Sequence, residues 1–193
     1  MTLKKLLIGI AALALTLNIQ LAQAANPKVK LETSKGTMVI ELYPDKAPKS
    51  VANFLAYVNA GAYDGTIFHR VIKDFMNQGG GFTPDFKKLE TRDPIQNEAD
   101  NGLKNLKYTV AMARTGEPHS ATNQFFINTG DNAFLDHSGK SMRGWGYTVF
   151  GKVIEGQNIA GAISRVPTGP GGPFSKDVPR TEILITKMTE IKE

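Results

Sequence analysis

The stretch from Phe68 to Gly80 reads FHRVIKDFMNQGG and holds the most informative pattern in the chain. Its beginning belongs to the β-rich run Thr66–Ile72, which predicts a strand. Because side chains alternate between the two faces of a strand, the run divides into two predicted faces. These are Phe68, Arg70 and Ile72 on one face, and Ile67, His69 and Val71 on the other.

Two later motifs add to this pattern: Asn123–Asn128 reads NQFFIN and Val149–Val153 reads VFGKV. In the first of them, Gln124, Phe126 and Asn128 are predicted on one strand face, and Phe125 and Ile127 on the other. One phenylalanine can then enter the core while its neighbour lines an external groove. An arginine beside such aromatic residues, with amides nearby, is typical of a peptide or small-molecule site.

The remaining pattern predicts a mainly β domain. A helix is predicted to begin at Pro48 and to end at Gly61, and a second helix covers Glu155–Arg165. Residues 79–105 and Pro167–Pro173 are predicted as irregular loops. The other predicted strands are Val29–Thr33, Thr37–Leu42, Lys107–Ala113, Asn123–Asn128, Tyr147–Val153 and Ile183–Met188. About eight short strands with two helices favour a closed eight-stranded antiparallel β-barrel capped by two α-helices.

The N-terminus has the pattern of a secretory signal peptide. A positive region at Lys4 and Lys5 precedes the apolar run Leu6–Leu17, which is shorter than the about 20 residues that span a bilayer. Small residues at the spacing that a signal peptidase reads follow and end at Ala24. We therefore predict cleavage of residues 1–24, one mature domain over residues 25–193, and export to a bacterial periplasm, with secretion to the medium as the second option.

Composition excludes several classes of function. The chain of 193 residues has no cysteine and three histidines, which rules out disulfides, thiol catalysis and cysteine metal sites and disfavours a histidine-rich one. Its net charge of +5 falls to about +3 when the two lysines of the signal segment are removed. Lys87 and Lys88 are only a pair and no dense basic stripe occurs, so no nucleic-acid partner is predicted. No membrane segment is predicted in the mature chain.

The three motifs, in this order, resemble the cyclophilin family of peptidyl-prolyl cis/trans isomerases. The resemblance runs from the first predicted hairpin to the last predicted strand, and the signal segment makes the chain most similar to bacterial periplasmic cyclophilins. It implies an isomerase that accelerates X-Pro bond rotation in unfolded or flexible exported polypeptides and assists their folding. A closed barrel of this size is expected to be a monomer.

The resemblance also implies the site residues. Arg70 is the implied catalytic residue, because a guanidinium can donate to the proline nitrogen when that nitrogen regains its lone pair in the twisted transition state. This chemistry requires no nucleophile, general base, metal or cofactor. The implied substrate-binding residues are Phe75, Met76, Gln78, Ala113, Arg114, Gln124, Phe126, Phe134, Leu135 and Tyr147. Among them the apolar residues would hold the proline ring, and Gln78 would bind the peptide backbone and orient Arg70.

The chain departs from the eukaryotic pattern at two positions. It has Phe134 where those relatives carry tryptophan, and Tyr147 where they carry histidine. Both changes keep an aromatic wall, but the first removes an indole N–H donor. We therefore predict that cyclosporin-type inhibitors bind weakly.

Several alternatives stay open at this point. The same groove would serve a noncatalytic peptide-binding or holdase module, although a pure binder does not need Arg70. A secreted hydrolase is not supported, because no G-x-S-x-G elbow is present. His69 is interpreted as structural, since the reaction needs no proton transfer. The segment His137–Gly146 with Trp145 is predicted either to lean over the groove or to pack on the barrel rim.

Overall fold

The computed structural model describes residues 25–192, so the predicted signal segment lies outside the described residues. Over this range the chain forms strands, two α-helices and two short 3-10 turns at Ala99–Asn101 and Ala133–Leu135. In chain order the elements are β1 (Lys28–Thr33), β2 (Gly36–Leu42), α1 (Pro48–Asn59), β3 (Thr66–Ile67), β4 (Arg70–Ile72), β5 (Met76–Gly79), β6 (Thr109–Met112), β7 (Phe125–Asn128), β8 (Val149–Glu155), α2 (Gln157–Ile163), β9 (Thr168–Gly171), β10 (Phe174–Pro179) and β11 (Leu184–Ile191). None of the helices in residues 25–192 is both long enough and apolar enough to cross a membrane.

Nine strands form one antiparallel sheet in the order β3-β11-β1-β2-β8-β6-β7-β5-β4. The edge strands β3 and β4 are consecutive in the chain and only Phe68 and His69 separate them. The two edges of the sheet are therefore held near each other, and the sheet curls into an incompletely closed barrel. The predicted mainly β barrel with two helices is confirmed. The strand number and the closure were wrong: the sheet has nine strands, and within residues 25–192 no ladder pairs β3 with β4.

The interior of the barrel is an apolar core that α1 covers at one end. Alternate residues of β1 and β2 point inward, as the burial of Val29 and Leu31 in β1 and of Met38 and Ile40 in β2 shows. Phe54 of α1 is fully buried, and its ring centroid lies 5.1 Å from that of Phe150 and 5.5 Å from that of Phe125. Burying each such side chain contributes about 1.5–3 kcal/mol to the free energy of folding.

The region around Thr66–Ile72 differs from the prediction. The chain leaves extended pairing at Phe68 and His69, so alternation is interrupted there. Phe68 consequently packs in the barrel core, with its ring centroid 6.1 Å from that of Phe125, and does not share the face of Arg70. The expected common face of Phe68 and Arg70 was wrong because alternation holds only along a continuous strand.

The predicted secondary structure differs from the observed one in three other regions. The strand β5 was not predicted, since its sequence MNQG lacks β-branched and aromatic residues and is held by pairing with β4 and β7. The predicted loop Pro167–Pro173 contains β9, which forms a separate two-stranded hairpin with β10. The second helix covers Gln157–Ile163, fewer residues than predicted.

Candidate active site

A row of side chains crosses four neighbouring strands on the outer face of the barrel. Arg70 of β4 is opposite Gln78 of β5, and Gln78 is opposite Phe126 of β7. Phe126 is in turn opposite Ala111 of β6. Residues that are directly opposite in a sheet point to the same face. The register thus brings a cation, an amide and an aromatic ring together, while Phe125 points into the core as predicted.

These residues surround a small pocket with a volume of about 110 Å³. Water occupies roughly 30 Å³ per molecule, so the pocket has room for a small ring. Its lining comprises Arg70, Phe75, Met76, Gln78, Ala113, Arg114, Phe126, Leu135 and Tyr147. Of the predicted site residues, only Gln124 and Phe134 are missing from this lining, and both lie beside it.

A chain of hydrogen bonds orients the polar side of the pocket. Arg70 Nη1 donates to Gln78 Oε1 at 3.3 Å, and Gln78 Nε2 donates to Gln124 Oε1 at 2.9 Å. Gln124 therefore fixes the amide of Gln78, which in turn presents its oxygen to the guanidinium. The side chain of Arg70 is 40% exposed, which leaves it accessible to a ligand in the pocket.

Phe75 and Phe134 form the outer apolar wall, with ring centroids 5.5 Å apart. Phe134 is 75% exposed and extends the wall beyond the pocket itself. Buried asparagines hold this wall in place: Asn132 Nδ2 donates to the Phe75 carbonyl at 2.9 Å and to Asn128 Oδ1 at 2.7 Å. Asn128 Nδ2 donates onward to Thr109 Oγ1 at 2.9 Å. The wall is thus tied to β6 and β7 and does not depend on loop packing alone.

Tyr147 and Arg114 close the opposite side. The Arg114 guanidinium lies over the Tyr147 ring, 4.6 Å from its centroid, and Tyr147 meets Phe126 edge-on at 5.7 Å. Arg114 Nε donates to the Gly146 carbonyl at 2.9 Å, and Nη1 donates to the Thr115 carbonyl at 2.9 Å. These contacts occupy the Arg114 guanidinium, so the peptide contact that the resemblance implies for Arg114 stays a prediction for its backbone.

His69 lies next to Arg70 in sequence but is buried between two rings. It is 2% exposed, 4.7 Å from the centroid of Phe82 and stacked on Phe174 at 5.6 Å. Burial lowers the pKa of His69 to about 4, with hydrogen bonding to the Ile67 carbonyl and the Gln124 side chain acting in the opposite direction. The ring is therefore neutral near pH 7, which agrees with the structural interpretation.

Trp145 does not line the pocket. It packs between His137 and His119, with ring centroids 5.3 and 4.8 Å away. His137 Nδ1 lies 3.0 Å from the Trp145 carbonyl oxygen. Within residues 25–192 the segment His137–Gly146 therefore adds no tryptophan ring to the pocket, and its contribution is the Gly146 carbonyl that supports Arg114.

Residues on both sides of the pocket were not predicted from the sequence. On one side an adjoining cavity of about 350 Å³ shares three residues with the pocket and is also lined by the predicted Gln124 and by residues that were not predicted, namely Lys88, Thr91, Thr115, Ser120 and Thr122. On the other side Asp177 Oδ2 of β10 lies 3.8 Å from Arg70 Nε. Neither could be read from local patterns, since both depend on where distant loops fold back. Another cavity, of about 650 Å³, lies between α1 at Lys49 and the loop at Arg92. It is open to solvent and has no aromatic residue in its lining.

The arrangement limits the chemistry that the site can perform. Within residues 25–192, no three His, Asp or Glu side chains lie close enough together to hold a metal ion. The pocket offers apolar walls, one guanidinium and amide groups, which suit binding of a ring next to a polar backbone. They suit electrostatic stabilisation of a developing lone pair equally well.

Comparisons with known proteins identify this arrangement. The family model described as cyclophilin type peptidyl-prolyl cis-trans isomerase matches residues 28–190. The chain is 62% identical to the peptidyl-prolyl cis-trans isomerase cyp18 of Streptomyces antibioticus over 81% of this chain and 94% of that protein. It is 52% identical to peptidyl-prolyl cis-trans isomerase B of Escherichia coli over 83% of this chain and 98% of the relative.

Solved structures show the same relationship. A crystal structure of a cyclophilin type peptidyl-prolyl cis-trans isomerase from Cryptosporidium parvum superposes with a TM-score of 0.70 at 27% identity, covering 87% of this chain and 99% of that one. A second crystal structure from that organism, determined in the presence of the dipeptide Ala-Pro, gives a TM-score of 0.69. The chain belongs to the family of cyclophilin-type peptidyl-prolyl cis-trans isomerases.

Proposed function

We propose that this isomerase catalyses X-Pro rotation through Arg70, acting on unfolded or flexible polypeptides outside the cytoplasm. The observation that carries the proposal is the position of the Arg70 guanidinium at a pocket of about 110 Å³ with aromatic and aliphatic walls, with Gln78 as its hydrogen-bond partner. Phe75, Met76, Phe126 and Leu135 would hold the proline ring.

The chemistry follows from the electronic structure of the amide. The C–N bond has partial double-bond character, and rotation about it has a barrier of about 18–20 kcal/mol. When the bond is perpendicular, the proline nitrogen regains its lone pair and accepts a hydrogen bond that the planar amide cannot accept. A guanidinium that donates to this nitrogen therefore stabilises the transition state more than the ground state, which is the condition for catalysis.

Arg70 cannot supply the whole acceleration. A hydrogen bond to a charged group contributes about 1.5–3 kcal/mol, which corresponds to roughly one to two decades in rate. The remainder would come from the apolar pocket, because the twisted amide is less polar than the planar one. Gln78 would add to this by binding the substrate backbone while it orients Arg70.

The cellular location rests on the N-terminal pattern. The positive region, the apolar run and the small residues before Ala25 support a cleaved signal peptide. The bacterial relatives support a bacterial source, in which such a signal would direct the protein to the periplasm. There the enzyme would assist the folding of exported proteins as a chaperone and act as a monomer. N-terminal sequencing of the protein purified from a bacterial periplasm is expected to begin at Ala25.

The noncatalytic holdase alternative is separated from the enzyme by a rate measurement. A protease-coupled assay on a proline tetrapeptide should show acceleration by the wild type, and a loss of about tenfold or more in kcat/KM for Arg70→Ala. Arg165→Ala is the matched control, because Arg165 is an exposed arginine just beyond α2. The proposal fails if the wild type gives no acceleration or if Arg70→Ala retains the full kcat/KM.

A further inference from the structure

We propose that Asp177 is a positioning residue that holds the Arg70 guanidinium in its catalytic orientation, an inference that rests on the proposed role of Arg70. Asp177 Oδ2 lies 3.8 Å from Arg70 Nε, and the Asp177 side chain is 21% exposed. The carboxylate belongs to β10, which is outside the barrel sheet and contributes no residue to the pocket lining. Its contact with the site is made through Arg70.

The backbone of β10 is distorted where it presents this carboxylate. Phe174 pairs with Gly171 and Val178 pairs with Gly169, so the register shifts between them and the residues before Val178 bulge out of the ladder. Asp177 has a φ of +67°, in the left-handed region that residues other than glycine rarely adopt. Bulges and strained residues of this kind recur at functional sites, where they re-aim a side chain. Here the distortion directs Asp177 toward Arg70.

The hairpin that carries Asp177 is fixed against the strand that carries Arg70. The Phe174 ring stacks on His69, the residue preceding Arg70, and meets Phe82 edge-on at 5.3 Å. A second contact fixes the turn, because a Cβ on Gly172 would lie 2.2 Å from the Phe86 ring. Within residues 25–192, β4 is an edge strand that pairs only with β5, and this hairpin packs against its other side.

Two side chains contact different nitrogen atoms of the Arg70 guanidinium. Nε faces Asp177, and Nη1 donates to Gln78. Nη2 forms no hydrogen bond within residues 25–192, which leaves its N–H groups for the peptide. A half-exposed arginine loses rotamer freedom when it binds substrate. Two fixed partners remove part of that freedom beforehand, so the guanidinium is pre-oriented.

The test uses two substitutions at this position. Asp177→Asn removes the charge while asparagine still tolerates the left-handed backbone. Asp177→Gly removes the carboxylate and relieves the backbone strain, so it is expected to fold at least as well as the wild type. Glu182→Gln is the matched control, because it removes one negative charge from an exposed residue just after β10.

Both Asp177 variants are expected to lower kcat/KM for a neutral proline tetrapeptide by about two- to fivefold, the range for a partly exposed ion pair. The loss should appear in kcat more than in KM, and it should disappear in about 1 M NaCl, which screens the pair. In an Arg70→Ala background, the Asp177→Asn substitution should have no further effect. The ¹⁵N-detected Nε–H signal of Arg70 should shift in Asp177→Asn and stay unchanged in Glu182→Gln.

If Asp177 had a purely structural role, its variants would give results opposite to those expected above. The inference is overturned if Asp177→Gly keeps the wild-type kcat/KM, or if the Asp177→Asn loss persists undiminished in the Arg70→Ala background. These outcomes leave the proposed function intact as long as the wild type accelerates isomerisation and Arg70→Ala loses about tenfold or more in kcat/KM. A wild type without activity would overturn both proposals together.

Discussion

We expect the buried His69 to make the stability of the fold depend on pH. Burial holds the pKa of His69 at about 4, below its ordinary value of 6.5. Between these two values the unfolded chain binds a proton at this position and the folded chain does not. The free energy of unfolding therefore falls as the pH falls from about 6.5 toward 4. Above about pH 6.5 His69 is neutral in both states, so it does not reduce the stability there.

The size of the effect follows from the shift. At 1.36 kcal/mol for each pKa unit, a pKa lowered from 6.5 to about 4 destabilises the fold by about 3 kcal/mol between pH 7 and pH 4. No large correction for solvent is needed, since His69 is 2% exposed. A loss of this size is a substantial part of the 5–15 kcal/mol that is typical of a domain.

Urea unfolding followed by circular dichroism at pH 7 and pH 4 measures this effect. The variant His69→Phe keeps an aromatic ring between Phe82 and Phe174 and removes the titrating group, and His69→Gln serves as a second variant with a polar side chain. Carboxylates titrate in all three proteins, so the informative quantity is the difference between wild type and variant. We expect the wild type to lose about 3 kcal/mol relative to each variant on going to pH 4. A difference that does not change with pH would refute the reasoning.

Three further outcomes are expected. Gln78→Leu leaves Arg70 Nη1 without its acceptor and should lower kcat/KM about tenfold with little change in Tm. The control Gln96→Leu replaces an exposed glutamine and should keep the wild-type kcat/KM. Equal kcat/KM values for the two variants would contradict the role of the Gln78 amide. Phe134→Trp introduces an indole N–H donor and should tighten cyclosporin binding about fivefold or more in a calorimetric titration. An unchanged Kd would count against a role for this donor in inhibitor binding. Phe54→Ala should lower the free energy of unfolding by about 3–5 kcal/mol in urea, and a loss below about 1 kcal/mol would show that the ring is not a core element.

Local patterns predicted the parts of the site that lie on regular strands. Alternation in NQFFIN correctly separated Phe125, which points into the core, from Phe126, which lines the pocket. The same rule failed at Phe68, because the chain leaves extended pairing between two edge strands there. A pattern of period two carries information only where the strand is continuous.

The remaining features depend on contacts between distant segments. The strand β5 has weak local preference and exists because β4 and β7 pair with it on both sides. The segment Pro167–Pro173 is rich in glycine and proline and is therefore predicted as a loop, although it contains β9. The strand β10, which pairs with β9 and brings Asp177 to Arg70, was not predicted. Nothing in the sequence near Asp177 indicates what its carboxylate faces.

The central claim is that Arg70 stabilises the twisted amide more than the planar one. The most direct test measures binding and isomerisation separately, by NMR exchange on one proline peptide with wild type and Arg70→Ala. We predict that the peptide Kd changes by less than about threefold, while the rate of rotation on the enzyme falls about tenfold or more. A variant that binds the peptide more weakly but rotates the bound peptide at the wild-type rate would contradict the account, because Arg70 would then contribute only to binding.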